Sequence, residues 1–84
     1  MSLKRIRNIL EIVGLSPLES KVYIYIAKKG PSTEKVICLE LGISKQQLYP
    51  ILSSLKEKGI AVTASERFNV FSVSSFEDIL EKYI

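Results

Sequence analysis

The sequence predicts a mainly α-helical domain with a small β-hairpin, an α+β class, built as one unit over residues 1–84. Three observations carry that prediction. Apolar residues recur at three- and four-residue spacing in five segments, most of them opened by Ser or Thr or closed by Gly. Two short runs, at 60–64 and 70–74, alternate at a spacing of two instead. The composition, 46% apolar and 25% charged, is that of a folded globule and not of a disordered chain.

The first helix occupies residues 1–13. Leu3, Ile6, Ile9, Leu10 and Val13 recur at helical spacing with Lys4, Arg5 and Arg7 between them, and Gly14 ends the run. Ser16-Pro17-Leu18-Glu19 is a capping box with Pro at the first helical position. The helix it opens runs to Lys29. It carries Leu18, Val22, Tyr23, Ile24, Tyr25 and Ile26 on most of its sides, which makes it the central buried helix. Gly30-Pro31 stops it. Ser32 or Thr33 caps a third helix with Val36, Ile37, Cys38, Leu39 and Leu41 as its apolar content, and Gly42 closes it. Ser44 and Gln47 form a second capping box at the start of a fourth helix. Ile43 and Leu48 have the spacing of a hydrophobic staple, which sets the angle at which the chain approaches that helix. Together the third helix, the short turn and the stapled fourth helix make a helix-turn-helix unit. Gly59 ends the fourth helix. The hairpin follows over residues 60–74, with Ser65-Glu66-Arg67-Phe68-Asn69 as its tip. A last helix over 75–84 presents Phe76, Ile79, Leu80, Tyr83 and Ile84 on one face. A three-helix core over 16–59 followed by a hairpin is the winged-helix arrangement, with an added helix at each end.

Composition narrows the function. Net charge is +3, but ten Lys/Arg stand against five Asp/Glu in residues 1–65, and two against four in residues 66–84. A basic body with an acidic end fits a nucleic-acid partner, although so modest a charge also fits an ordinary solvated surface. No apolar run approaches ~20 residues, so no membrane span is expected, and residues 1–4 contain no secretory apolar core. Cys38 is the single cysteine and there is no His, which points away from a zinc site and from an internal disulfide. The acids Glu11, Glu19, Glu34 and Glu40 are scattered over the helices. No Gly-rich phosphate loop and no nucleophile–base pair accompanies them, so no enzyme, cofactor or metal is expected. The lone cysteine fits an intracellular location, and the expected place is the cytoplasm, on the nucleoid if the partner is DNA.

The fourth helix carries the functional argument. At 100° per residue, Leu48, Ile51, Leu52 and Leu55 share one face, which is core. Opposite lie Gln46, Pro50, Ser53 and Glu57, flanked by Tyr49, Gln47 and Ser54, with Lys45 and Lys56 at the border. No acid falls between Ile43 and Leu55. The first turns of a reading helix approach base edges, and a Gln bonds an adenine edge with two hydrogen bonds, which makes Gln46 the leading base contact. Gln47 is weaker, because its side chain is spent on the cap. Lys45, Lys56, Tyr49 and Ser53 suit phosphate contacts, which position without specifying. Thr33 and Ser44, at the two helix starts, complete the set on this side. Pro50 removes a backbone donor and should kink the helix on its outer face. At the hairpin tip Arg67 suits a minor groove or a phosphate, Asn69 assists, and Phe68 is either a wedge or a packing residue.

A set of segments in this order resembles the DNA-binding domain of TrmB-type archaeal transcriptional regulators. They are Gly14-Leu15-Ser16-Pro17-Leu18-Glu19-Ser20-Lys21-Val22-Tyr23, Gly30-Pro31-Ser32-Thr33, Gly42-Ile43-Ser44, Leu48-Tyr49-Pro50-Ile51-Leu52 and Glu57-Lys58-Gly59-Ile60. Residues 67–71 and 74–80 also look like that family's wing and following helix. The Leu-Tyr-Pro piece is equally similar to PadR-type repressors. The wing departs from the family's pattern, with Glu66 and Phe68 where Gly and Pro often flank the Arg. The resemblance implies a winged helix that binds operator DNA as a dimer. Many such regulators also carry a large C-terminal sugar-sensing domain, so the 84 residues are either a short stand-alone relative or part of a longer protein.

The expected function is therefore sequence-specific binding of double-stranded DNA as a transcriptional regulator. The fourth helix would lie in the major groove and the hairpin on the flanking backbone or minor groove. A homodimer is expected through Leu3, Ile6, Leu10, Phe76, Ile79, Leu80 and Tyr83, whose stripes find little left to cover them in so small a domain. The alternative for those stripes is that both end helices pack on their own core. The alternative for the whole chain is a protein-interaction winged helix that touches no bases.

Overall fold

A computed structural model describes residues 3–83. The order of elements is α1 (Leu3–Val13), α2 (Pro17–Lys29), β1 (Ser32–Thr33), α3 (Glu34–Leu41), α4 (Lys45–Glu57), β2 (Ala61–Ser65), β3 (Val70–Val73) and α5 (Phe76–Tyr83). This is an α+β winged helix: a helical core with a three-stranded antiparallel sheet of order β1-β3-β2.

Local chemistry explains where the helices start. Ser16 Oγ accepts from the Glu19 N–H, and the Glu19 carboxylate accepts from the Ser16 N–H, closing the capping box in both directions. Ser44 and Gln47 repeat the pattern at α4. At α3 the choice between Ser32 and Thr33 falls to Thr33, whose hydroxyl accepts from the Val36 N–H. Ser32 Oγ turns back instead to donate to the Gly30 carbonyl. Gly42 closes α3 in the left-handed region (φ 65°), with its N–H on the Cys38 carbonyl. α4 runs through Pro50 from Lys45 to Glu57 as one helix. Pro50 lies on the exposed side and leaves the Gln46 carbonyl without its usual helical donor.

β1 was not legible in the sequence. Its two residues pair with β3, Ser32 opposite Phe71 and Thr33 opposite Val70. β2 pairs on the other side of β3, Ala61 with Val73 and Thr63 with Phe71, and a bulge near Ala64 brings Ser65 opposite Val70. In β2 it is Ala61 that is buried, while Val62 and Ala64 face outwards.

One core joins all of these layers. It contains Leu10, Leu15, Val22, Tyr23, Ile26, Ile37, Leu48, Ile51, Leu52, Leu55, Ile60, Ala61, Phe71 and Ile79. The Tyr23 hydroxyl crosses it to donate to the Ser74 carbonyl at 2.8 Å, tying α2 to the end of the hairpin. Burial and the nearby Asp78 charge push that phenol up to about 12. The membership of Leu10 and Ile79 corrects the expectation that they face a partner. Both are at most 1% exposed inside the monomer, because α1 and α5 fold back on the core. Ile6 and Phe76 pack at its edge, and Leu80 is half-buried. Leu3 remains 41% exposed. The Tyr83 side chain and Ile84 lie outside the described residues. Among the described residues no helix is long and apolar enough to cross a membrane.

Candidate nucleic-acid interface

The apolar face of α4 is consumed by the core, with Leu48, Ile51, Leu52 and Leu55 all buried. That fixes which face is left over. Lys45, Gln46, Gln47, Tyr49, Pro50, Ser53 and Lys56 are exposed together. No acid lies in the first turn of α4, whose positive end is thus unopposed by a carboxylate of its own helix, and Lys56 lies in its last turn. The Gln47 oxygen accepts from the Ser44 N–H at 2.9 Å, as the cap required, so its free chemistry is the amide N–H pair. Gln46 is exposed, in the second position of the helix.

The hairpin stands beside this face. Tyr49, Leu52, Ser53 and Lys56 of α4, with Thr63, Glu66, Asn69 and Phe71 of the hairpin, line one groove between the two. Phe71 is buried and forms part of its floor, and the Lys56 ammonium sits 5.1 Å from the Phe71 ring centre. The aromatic face favours the cation there while leaving it exposed. At the tip, the Arg67 guanidinium lies 5.2 Å from the ring centre of Phe68. Phe68 is 64% exposed, so it is not a core packing residue but the surface over which Arg67 lies. Asn69 takes a positive φ of 51° to close the tip, a conformation that Asn tolerates better than most residues.

Two acids belong to this surface. Glu66 lines the groove. Glu34, the first residue of α3, is 4% exposed, and its carboxylate accepts from the Tyr49 hydroxyl at 2.9 Å and lies 3.4 Å from the Lys45 ammonium. The Glu34 backbone N–H donates to the Asn69 carbonyl, so one residue touches α4 and the wing tip together. The hydrogen bond to Glu34, with partial burial and the Glu34 charge, pushes the Tyr49 phenol above its usual range. Burial and the same charge raise the Cys38 thiol as well, against the opposing charge of Lys45. Thr33 is half-buried with its hydroxyl on the cap, and the exposed Ser44 is likewise committed as a cap. Both therefore stand at the rim of the surface. Lys45, Gln46, Gln47, Tyr49, Ser53, Lys56, Arg67 and Asn69 are all exposed on or beside α4 and the wing. The sequence places Glu66 at the hairpin tip and shows Glu34 as an acid favouring a helix start, but not the contacts of Glu34 with Tyr49 and Lys45. Among the described residues there is no group of three or more His, Cys, Asp and Glu side chains placed to hold a metal.

A family model described as sugar-specific transcriptional regulator TrmB matches residues 10–77. The chain is also 33% identical over 73 residues to the HTH-type sugar sensing transcriptional regulator TrmBL1 of Pyrococcus furiosus, a match that takes in 87% of this chain and 21% of that protein. The chain thus spans about a fifth of that relative's length. No solved structure matches it at a comparable significance.

Proposed function

The chain belongs to the TrmB family of transcriptional regulators, and on that premise we propose that it binds double-stranded DNA sequence-specifically, as a homodimer. In this reading α4 enters the major groove and the hairpin lies on the flanking backbone or minor groove. The observation that carries it is the division of α4: one face wholly spent on the core, the other exposed and free of acids from Lys45 to Lys56, with Arg67 and Asn69 on the adjoining wing. A helix start with two exposed Gln side chains and a Lys has the donors and acceptors that base edges and phosphates require.

Gln46 is assigned to a base edge, and Lys45, Ser53, Lys56, Arg67 and Asn69 to the backbone. Thr33 and Ser44 approach phosphates through the helix starts they cap. Leu3, Ile6, Phe76 and Leu80 supply the remaining apolar surface for a second copy, since Leu10 and Ile79 are enclosed. Leu3, Ile6 and Phe76 line a common hollow with Tyr23 and Ile24, which gives that surface one location. A regulator of this kind works in the cytoplasm, on the nucleoid.

Selection from a pool of duplexes with a randomised centre tests the reading. Enrichment of one motif with two related half-sites supports both specificity and the dimer. A bound fraction with the same sequences as the input pool contradicts specific recognition and favours a protein-interaction module.

A further inference from the structure

Glu34 is an acid 4% exposed beneath a surface proposed to meet an acid. Its contacts explain what it does there. One carboxylate oxygen lies 3.4 Å from the Lys45 ammonium, and the other accepts the Tyr49 hydroxyl proton at 2.9 Å. Its backbone N–H on the Asn69 carbonyl, at 3.0 Å, anchors it to the wing tip. A carboxylate offers only lone pairs, and a phenol has a single proton to donate. The proton of Tyr49 is therefore directed inwards, and the hydroxyl has only acceptor lone pairs left for anything outside. Phosphate oxygens are acceptors as well. To bond one, Tyr49 must leave Glu34, which takes the donor from one oxygen of a buried carboxylate while Lys45 stays beside the other, and this is costly.

Tyr49 is the fifth residue of α4, is 51% exposed and lines the groove beside the wing. In the major groove the groups that suit an acceptor are the exocyclic amines of adenine and cytosine, whereas guanine and thymine offer acceptors there. Resting on the DNA-binding reading above, we propose that Glu34 and Tyr49 form a specificity device. Glu34 is a positioning residue that fixes the Tyr49 hydroxyl as an acceptor, and Tyr49 selects adenine or cytosine at one position of the site. This replaces the expectation, from residue type alone, that Tyr49 holds a phosphate.

The test measures wild type, Tyr49→Phe and Glu34→Gln on the preferred duplex and on its single-base variants, each over a range of salt. Tyr49→Phe is expected to lose a roughly three- to tenfold preference for adenine or cytosine at one position. Its affinity for the variants with guanine or thymine at that position stays at the wild-type value. Glu34→Gln, whose amide serves the phenol as donor or acceptor, relaxes the same position and no other. A Tyr49→Phe loss of the same size on every duplex identifies a contact to the backbone and overturns the proposal. An unchanged base profile overturns it too. If Glu34→Gln does not fold, Tyr49→Phe decides alone, since it keeps the half-exposed ring and leaves Glu34 its contact with Lys45. Failure of the wild-type chain to bind any duplex at low salt removes the DNA reading and this proposal together, whereas binding without a Tyr49-dependent position removes only the proposal.

Discussion

Glu19 shows how a single side chain ties distant parts of this small domain together. It is 8% exposed, with its carboxylate shared between the Ser16 N–H at 2.9 Å and the Lys58 ammonium at 3.0 Å. Lys58 also donates to the Gly14 carbonyl and to Ser54 Oγ, so the α1–α2 turn is fastened to the end of α4. Burial by itself raises this carboxyl, but the hydrogen bonds from Ser16, Ser54 and Lys58 and the Lys58 charge outweigh it and hold the group at about 2, against an ordinary 4.5. The folded value lies below the unfolded one. The carboxylate therefore contributes stability that is full above about pH 4.5 and is lost as pH falls towards 2, on the order of 3 kcal/mol in all. Thermal melts stepped down to about pH 2.5 check this: wild type should lose melting temperature steeply below pH 4.5, and Glu19→Gln should start lower and fall less. Parallel curves would show that other groups carry the acid transition. On the outer face, Gln46→Ala is expected to relax discrimination at one base position by roughly 1–3 kcal/mol, seen in binding to single-base variants. Arg67→Ala should weaken binding to all sequences alike and flatten the salt slope by about one unit for each copy in the complex. The capping roles of Glu19 and Gln47 were legible because each reaches only three residues back. The second partner of Glu19 and the partners of Glu34 were not, because they arrive from α4 and the wing.

The helices of this domain are bounded by local chemistry, and that is why their positions were readable. Gly42 is the sharpest case. It sits at φ 65° with open space around the position of a Cβ, so a side chain there meets a conformational penalty and no clash. Gly42→Ala is accordingly expected to cost about 1–2 kcal/mol, measured by urea unfolding with an unchanged m-value. A neutral substitution would mean that the turn between α3 and α4 adjusts, and that its geometry does not set the angle of α4. Strands gave less away. β1 is two residues long, too short to show alternation, and exists only because β3 pairs with it. In β2 the alternation was visible but not its inward face, which follows from Ala61 pairing with Val73 over the core. Pro50 is accommodated inside α4, where it lies on the exposed side while Leu48, Ile51, Leu52 and Leu55 are buried on the other face.

At the scale of the whole molecule, a chain of 84 residues has little interior, and the fold recruits both end helices to enlarge it. Leu10 and Ile79 are drawn into the core for that reason, leaving Leu3, Ile6, Phe76 and Leu80 as the outer remnant of the two stripes. Helical periodicity identifies an apolar face but not what covers it, so the stripes read identically whether they meet their own core or another copy. The same closure leaves the exposed side of α4 and the hairpin as the joint surface proposed to meet DNA. Fluorescence anisotropy of a labelled mixed-sequence duplex, titrated at about 50 and 200 mM salt, tests it most directly. A DNA-binding surface gives tight binding at the lower salt and a loss of ~10³-fold or more at the higher, as expected for about six or more phosphate contacts in a dimer. No binding at the lower salt, or an affinity that does not change with salt, would contradict it.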